Sequence, residues 1–225
     1  MMKEMKLVFA SNNAHKLAEV REIMPVGIEV LSLREIGFEH EIDETGTTLE
    51  ENSRIKADAV CQYLRDRKIE ISGVFADDTG LEIDALDGRP GVYTARWYRM
   101  GESHTVPQLT DERAVFTANR AKALRELAGK TNRGAQFRTV ITLIKLSEVS
   151  DQLSEVSDQL SEIQVEGIVR GRIATEEYGE GGFGYDPIFI PDGYDKTFGE
   201  LPAEIKNTIS HRARALENLV KELEK

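Results

Sequence analysis

The sequence contains a single cysteine, Cys61, so an intramolecular disulfide is excluded and a reducing cytosol is the expected compartment. Long hydrophobic runs are missing too. No stretch approaches the roughly 18 apolar residues that a membrane-spanning helix needs. The opening MMKEMKLVFA is charged, then briefly apolar, and runs into Ser11-Asn12-Asn13 without the apolar core or cleavage site of a secretory signal. Positive charge is scarce: 29 Lys and Arg stand against 40 Asp and Glu, a net charge of −11. A nucleic-acid polymer or an anionic membrane needs a positive field, so neither is expected as a partner. A small anionic ligand is not excluded, because it needs only a local pocket of cations and N–H groups.

What remains is a composition able to fold. Apolar residues make up 40% and charged residues 31%, which excludes a disordered polar chain. At 225 residues the chain is long enough for one large domain, or a core with a second lobe. Leu7-Val8-Phe9 reads as a strand, broken by Ser11-Asn12-Asn13. Leu17, Val20 and Ile23 then recur at helical spacing until Pro25. Residues 28–31 read as a second strand and 35–47 as a loop. Thr47 with Glu50 has capping-box spacing, which predicts a helix to about Arg67. Residues 73–76 predict a strand ending at Asp77-Asp78-Thr79-Gly80, with 81–83 a short continuation, and 87–101 a structured loop. Asp111 is placed to cap a helix reaching about Ala128. Residues 136–146 and 164–173 read as neighbouring antiparallel strands. The C-terminus reads as helical, with Ile209, Ala213, Leu216, Leu219, Val220 and Leu223 on its apolar stripe. Strands mixed with helices indicate an α/β protein with a mixed sheet.

One segment stands apart. SEVSDQL at 147–153 repeats letter for letter at 154–160, and SEI begins a third copy. Val149, Leu153, Val156, Leu160 and Ile163 alternate at spacings of four and three, which is a heptad stripe. It reads as a tandem duplication lengthening a connection between strands, or as a helical protrusion that pairs between subunits.

Several segments carry residue types suited to chemistry. Ser11 to Lys16 joins a strand to a helix N-terminus, where unpaired N–H groups and the helix dipole favour anions. An ordinary cap with a solvated lysine would look the same. Asp77 and Asp78 close an apolar strand, and adjacent strand residues point to opposite faces, so they should differ in role. One or two carboxylates together with substrate phosphates and water suit Mg²⁺. Asp43-Glu44-Thr45-Gly46 reads as a solvated turn unless Glu44 partners Asp78. Asn52 and Lys56 lie four apart on one helix face. In Gly181-Gly182-Phe183-Gly184-Tyr185-Asp186 the glycines allow close approach or positive φ. Phe183 and Tyr185 there would stack on a planar base and Asp186 accept from its edge, unless the aromatics are tucked into the core. Ser210 suits an N-cap, but His211 and Arg212 in a first turn oppose the helix dipole. A negative or carbonyl-rich ligand would offset that, and Lys206 adds a cation nearby.

The runs SNNAHK (11–16), Glu44-Thr45-Gly46 with Asn52, ADDTG (76–80), GRPGVYTAR (88–96), GGFGYDP (181–187) and SHR (210–212) resemble the inosine triphosphate pyrophosphatase family. This is the family of non-standard purine nucleoside triphosphate pyrophosphatases. Each run is weak alone. In this order, spanning almost the whole chain, they are specific. The departures are the 147–161 duplication, which falls between motifs, and an extended 97–110 loop. The resemblance implies a single two-lobed domain over 1–225, with a long mixed central sheet, flanking helices, a cleft between lobes, and a cytoplasmic homodimer. It implies Mg²⁺-dependent hydrolysis of ITP, dITP and XTP to the monophosphate and pyrophosphate. Carried over by residue, Ser11, Asn12, Asn13, Ala14, His15 and Lys16, helped by Lys56, would hold the triphosphate. Glu44 and Asp78 would engage the metal, and Asp78 would activate the attacking water. Thr79 would contact substrate. Phe183, Gly184, Tyr185 and Asp186 would hold the base, with Lys206, His211 and Arg212 completing the pocket. Two alternatives stay open: a pyrophosphatase of the same architecture for modified pyrimidine or other nucleotides, and a non-catalytic nucleotide-binding protein.

Overall fold

The computed structural model describes residues 5–101, 108–146 and 161–225. Strand β1 (Met5–Phe9) ends where side chains take over from the backbone. Ser11 Oγ accepts from the Asn13 N–H (3.2 Å), and Asn13 Oδ1 accepts from the Lys16 N–H (2.9 Å). Asn13 thereby caps helix α1 (Ala14–Ile23), which stops just before Pro25 as expected. Strand β2 (Ile28–Ser32) pairs in parallel with β1. Helix α2 (Leu49–Asp66) opens with a capping box, one residue later than the sequence spacing predicts. The pair is Thr48 with Glu51. Its carboxylate gathers both the Thr47 and the Thr48 N–H, at 2.6 and 3.2 Å. Two threonines followed by two glutamates offer the spacing twice, and only the backbone decides between them.

Strand β3 (Gly73–Ile83) is the main correction to the expected pattern. It does not stop at Asp77 but runs through both aspartates and Thr79-Gly80 as one element. Each aspartate meets a lysine there, so the carboxylates do not end the strand. The loop expected over 87–101 contains β4 (Pro90–Gly91), antiparallel to β3, and a 3-10 segment at Thr94–Arg99. Asp111 caps helix α3 (Glu112–Glu126) as expected, accepting from the Ala114 N–H at 2.7 Å. Strands β5 (Gly134–Lys145) and β6 (Ser161–Ile173) are neighbours in the sheet, and β7 (Phe189–Pro191) pairs antiparallel with β6. β6 begins at Ser161, so Ile163, the last position of the heptad stripe, lies on a strand. The duplicated residues 147–160 lie outside the described residues. Helix α4 (Ala203–Ile209) precedes helix α5 (His211–Leu223). Ile209 therefore belongs to α4 and not to the C-terminal helix. Ser210 separates them: its N–H bonds Lys206 O, and its Oγ accepts from the Ala213 N–H.

The sheet has the order β2-β1-β3-β5-β6-β7, with β4 added beside β3. Parallel pairs (β1 with β2 and β3) and antiparallel pairs (β3 with β4, β6 with β7) make it mixed. The chain divides into two compact units: Met1–Asp78 with Val140–Glu166 and Ala215–Lys225, and Thr79–Thr139 with Gly167–Arg214. In the first unit alternate residues of β1 and β3 feed separate clusters. Val8, Val74 and Ala76 pack with Val60 and Leu64 of α2. Leu7, Phe9 and Phe75 pack with Val20 of α1 and Leu216 and Leu219 of α5. Burial on both faces explains why these strands read as continuous apolar runs. The second unit has its own cluster, built on Leu81, Leu127, Phe137, Phe189 and Phe198. Among the described residues no helix is long and apolar enough to cross a membrane.

Candidate active site

The strand pleat separates Asp77 from Asp78. Asp77 follows Phe75 to the α1 side, where its Oδ1 lies 2.9 Å from Lys16 Nζ. The Asp77 side chain is 1% exposed, so this ion pair is what makes its burial tolerable. Lys16 is thus not a solvated lysine beside a cap. It is tied at both ends, its N–H by Asn13 and its ammonium by Asp77. Around it Asn12, Ala14 and His15 are exposed, and Ser11 and Asn13 are half-buried.

Asp78 follows Ala76 to the α2 side. Lys56 Nζ lies 3.2 Å from Asp78 Oδ1 and 2.9 Å from Glu44 Oε1, so one ammonium joins two carboxylates. Asn52, one turn before Lys56, donates Nδ2 to Asp78 Oδ2 at 3.3 Å, while its Oδ1 accepts the Gly46 N–H at 2.8 Å. The polar face of α2 is therefore not solvated: Asn52 and Lys56 are both buried. Glu44 is no free turn residue either, because the Gly46–Asn52 bond fastens its loop to α2. Glycine is required at 46, since a Cβ would lie 2.7 Å from Asn52 Oδ1. Burial alone would depress the Lys56 ammonium, but the charges of Asp78, Glu44 and Asp77 outweigh it and hold its pKa above the ordinary lysine value. Burial raises the Asp78 carboxyl above the usual aspartate range, with Lys56 and Lys16 opposing and Glu44 reinforcing.

Among the described residues no group of three or more His, Cys, Asp or Glu gathers as a metal-binding cluster. Mg²⁺ does not require one, since it is commonly held by one or two carboxylates with waters and substrate phosphates. Glu44 and Asp78 converge on one cation already, and their hard oxygen donors fit that ion.

The second unit holds the other candidate residues. Gly182 and Gly184 both have positive φ (70° and 60°), and a Cβ on Gly182 would overlap the Asp186 carboxylate. That room lets Asp186 Oδ2 accept the Phe183 N–H at 2.7 Å and Lys206 Nζ at 2.8 Å. Asp186 is thus committed to its own loop and to Lys206. The two aromatics of the loop part company. Tyr185 is in the core, its hydroxyl donating to Thr94 O at 3.0 Å, and burial raises its pKa. Phe183 is half-buried, with Lys206 Nζ 4.8 Å and Arg212 Cζ 5.9 Å from its ring centroid. Gly184 is half-buried beside it. His211 stacks on Phe137 (4.6 Å, 20°), and the wholly buried Arg212 reaches Thr79 Oγ1 at 3.4 Å. Thr79 in turn shares a 2.8 Å hydroxyl contact with Thr139. Sequence reasoning assigned no part to Thr139, and it left Asp77 without a partner. Asp77 alone had a signal, the pleat rule applied to two adjacent acids.

These features describe an α/β protein whose central strand carries two buried aspartates, each answered by a lysine from a different helix. The chain matches the Ham1 family over residues 7–222 and belongs to that family. It is 44% identical to the dITP/XTP pyrophosphatase of Flavobacterium johnsoniae, covering 96% of each chain. It is 45% identical to that of Bacillus subtilis, again over 96% of each. Among solved structures it is similar to the Ham1 protein of Staphylococcus aureus, with a TM-score of 0.73 and 36% identity over 97% of this chain and 98% of that one. The HAM1 protein of Coxiella burnetii superposes with a TM-score of 0.75 at 32% identity, over 97% and 98% of the two chains.

Proposed function

We propose that this chain is a nucleoside triphosphate pyrophosphatase that hydrolyses deaminated purine nucleotides, ITP, dITP and XTP, to the monophosphate and pyrophosphate. The observation that carries this is the buried Lys56 ammonium shared by Glu44 and Asp78, with Asn52 fixing Asp78. The names of the relatives support the substrate class.

In this reading Lys16, Lys56 and the capped start of α1 at residues 11–16 hold the triphosphate and neutralise charge on it. A water attacks the α-phosphorus, the bond to the β-phosphate bridging oxygen breaks, and pyrophosphate leaves. Asp78 accepts the water proton at a carboxylate oxygen. Asn52 and Lys56 hold its two oxygens in place for that task. Glu44 and Asp78 would hold Mg²⁺, which when bound supplies charge neutralisation and a more acidic water. Asp77 acts on Lys16, setting where that ammonium sits.

Phe183 offers its half-buried ring to the base, while Lys206 and Arg212 bring donors close to that ring. Hypoxanthine and xanthine carry a 6-keto acceptor where adenine has a 6-amino donor. Donors such as Arg212 and His211 pair with the first and mismatch the second, and polar pairing of this kind discriminates by up to about 10⁴-fold. Thr79, accepting from Arg212, keeps the guanidinium oriented. A cytosolic homodimer belongs to the same reading. The sole thiol supports the compartment, and sedimentation tests the dimer.

Asp78→Asn tests the catalytic assignment. It should lose turnover of ITP by at least about 10²-fold, the scale of a lost general base, while substrate binding by calorimetry persists. Survival of turnover would remove Asp78 from its role.

A further inference from the structure

Helix α3 supplies none of the residues placed in the site above, yet it holds the loop that carries Phe183 at several positions. Phe116 and Arg120, four apart and so on one face of α3, both reach this loop. The Phe116 ring lies 6.2 Å from the Phe183 ring. Arg120 Nη1 donates to the Gly184 carbonyl at 2.8 Å. Its Nε lies 2.9 Å from Glu177 Oε1, at the start of the same loop. One guanidinium therefore ties the beginning of the loop to its tip. Tyr185, next in sequence, is pinned to Thr94 O, and α3 holds that segment as well: Asn119 Nδ2 donates to Ala95 O at 3.0 Å and its Oδ1 accepts the Tyr98 N–H at 2.7 Å.

The loop needs this outside support. Its three glycines at positive φ, Gly179, Gly182 and Gly184, have many alternative conformations in the free chain. Inside the loop, the Phe183 N–H and Asp186 N–H are occupied by Asp186 Oδ2 and Phe183 O, and neither bond fixes the Gly184 carbonyl. Arg120 does. The fork geometry of a guanidinium lets it hold a carbonyl and a carboxylate at once, which an ammonium cannot match. The Arg120 side chain is only 12% exposed, so its hold on the Gly184 carbonyl is shielded from water, while its Glu177 partner, 39% exposed, meets it at the surface.

We propose that Arg120 is a positioning residue for base recognition, acting through Gly184 and Glu177 to set the Phe183 ring, with Phe116 as its apolar companion. This rests on the reading of Phe183 as part of the base site. Arg120 touches no substrate, so its loss should act on binding and base choice and leave the phosphate chemistry alone.

The test is steady-state kinetics on the full chain, with ITP, GTP and ATP as substrates. Arg120→Ala should raise KM for ITP roughly tenfold, the scale of one lost charge-assisted hydrogen bond, and narrow the preference for ITP over GTP and ATP. The kcat should stay within about twofold, because loss of a pairing remote from the reacting phosphorus weakens binding first. Arg120→Lys keeps one donor and should recover part of the KM. A purely structural role would lower the melting temperature but leave KM and base preference at the wild-type values below the melt, and that result overturns the inference. If Arg120→Ala does not fold, Glu177→Gln and Phe116→Leu decide the matter: a raised KM with narrowed preference supports the clamp, and unchanged values overturn it. Wild-type protein that releases no pyrophosphate from ITP would overturn the functional reading with it. Normal wild-type turnover with an unaltered Arg120→Ala overturns the clamp alone.

Discussion

Asp77 and Asp78 are joined by a peptide bond and answer to different lysines: Asp77 Oδ1 lies 2.9 Å from Lys16 Nζ on α1, and Asp78 Oδ1 lies 3.2 Å from Lys56 Nζ on α2. The pleat of β3 sends them to opposite faces, and the helix on each face supplies the cation. Two like charges at neighbouring positions in a buried strand are tolerable only in this way. The arrangement also divides the work. Asp77 is committed to fixing Lys16, and Asp78 shares its lysine with Glu44 and keeps a second oxygen on Asn52.

Removing Lys56 should therefore harm stability as well as activity. Lys56→Met keeps the side-chain length but leaves Glu44 and Asp78 facing each other without a cation. Losing one partner of a buried pair costs about 3–5 kcal/mol. Denaturant unfolding should show a loss on that order, and pyrophosphate release should fall with it. Adding Asp78→Asn to Lys56→Met should restore part of the stability and none of the activity.

Gly182→Ala should separate the base site from the phosphate site. Positive φ and the overlap of a Cβ with the Asp186 carboxylate force the loop to move, and Asp186 then loses its grip on the Phe183 N–H. We expect KM for ITP to rise by about tenfold, as for one lost hydrogen bond to a charged group. The residues around Lys56 are untouched, so inhibition by inorganic pyrophosphate should keep its wild-type constant.

The acid limb of stability should depend on Glu35. Its carboxylate accepts from Ser32 Oγ and the Ser32 N–H and pairs with Arg21; these contacts, with Ser32 foremost, hold its pKa down at about 2 against the ordinary 4.5. A depressed carboxylate pKa stabilises the fold fully above the unfolded value, and the stabilisation is lost as pH falls through the folded one. Urea midpoints measured from pH 6 down to about pH 2 should fall over that window in the wild type. In Glu35→Gln the fall should be smaller and the midpoint at the upper end of the range lower. Equal slopes in the two proteins would remove Glu35 from the acid transition.

The elements that sequence alone delivers are those whose signal is local. The Ser-Asn-Asn turn, the Asp111 cap and the apolar runs of β1 and β2 each specify themselves through neighbours a few residues away. β3 misled because aspartates read as strand breakers, and the lysines that neutralise them lie 61 and 22 residues away in the chain. The α2 capping box slipped by one because Thr47-Thr48 and Glu50-Glu51 give the same spacing in two registers. α4 escaped notice because its seven residues carry no apolar stripe of useful length. Within the candidate site, Asp78, Lys56, Asn52 and Glu44 were all visible as residues, but their convergence on one ammonium is a tertiary fact. Arg120 was invisible: an arginine in a helix reads as solvated surface, and only the fold shows the glycine-loop carbonyl it holds.

The most direct test of the proposed activity is product analysis with Mg²⁺ and one nucleotide at a time: ITP, XTP, ATP, GTP and dUTP, with pyrophosphate and orthophosphate measured separately. Pyrophosphate and the monophosphate are expected from ITP and XTP, and at least roughly a hundredfold less from ATP, within the range that polar base pairing can deliver. Orthophosphate as the first product, or no product from ITP and XTP, would contradict that activity.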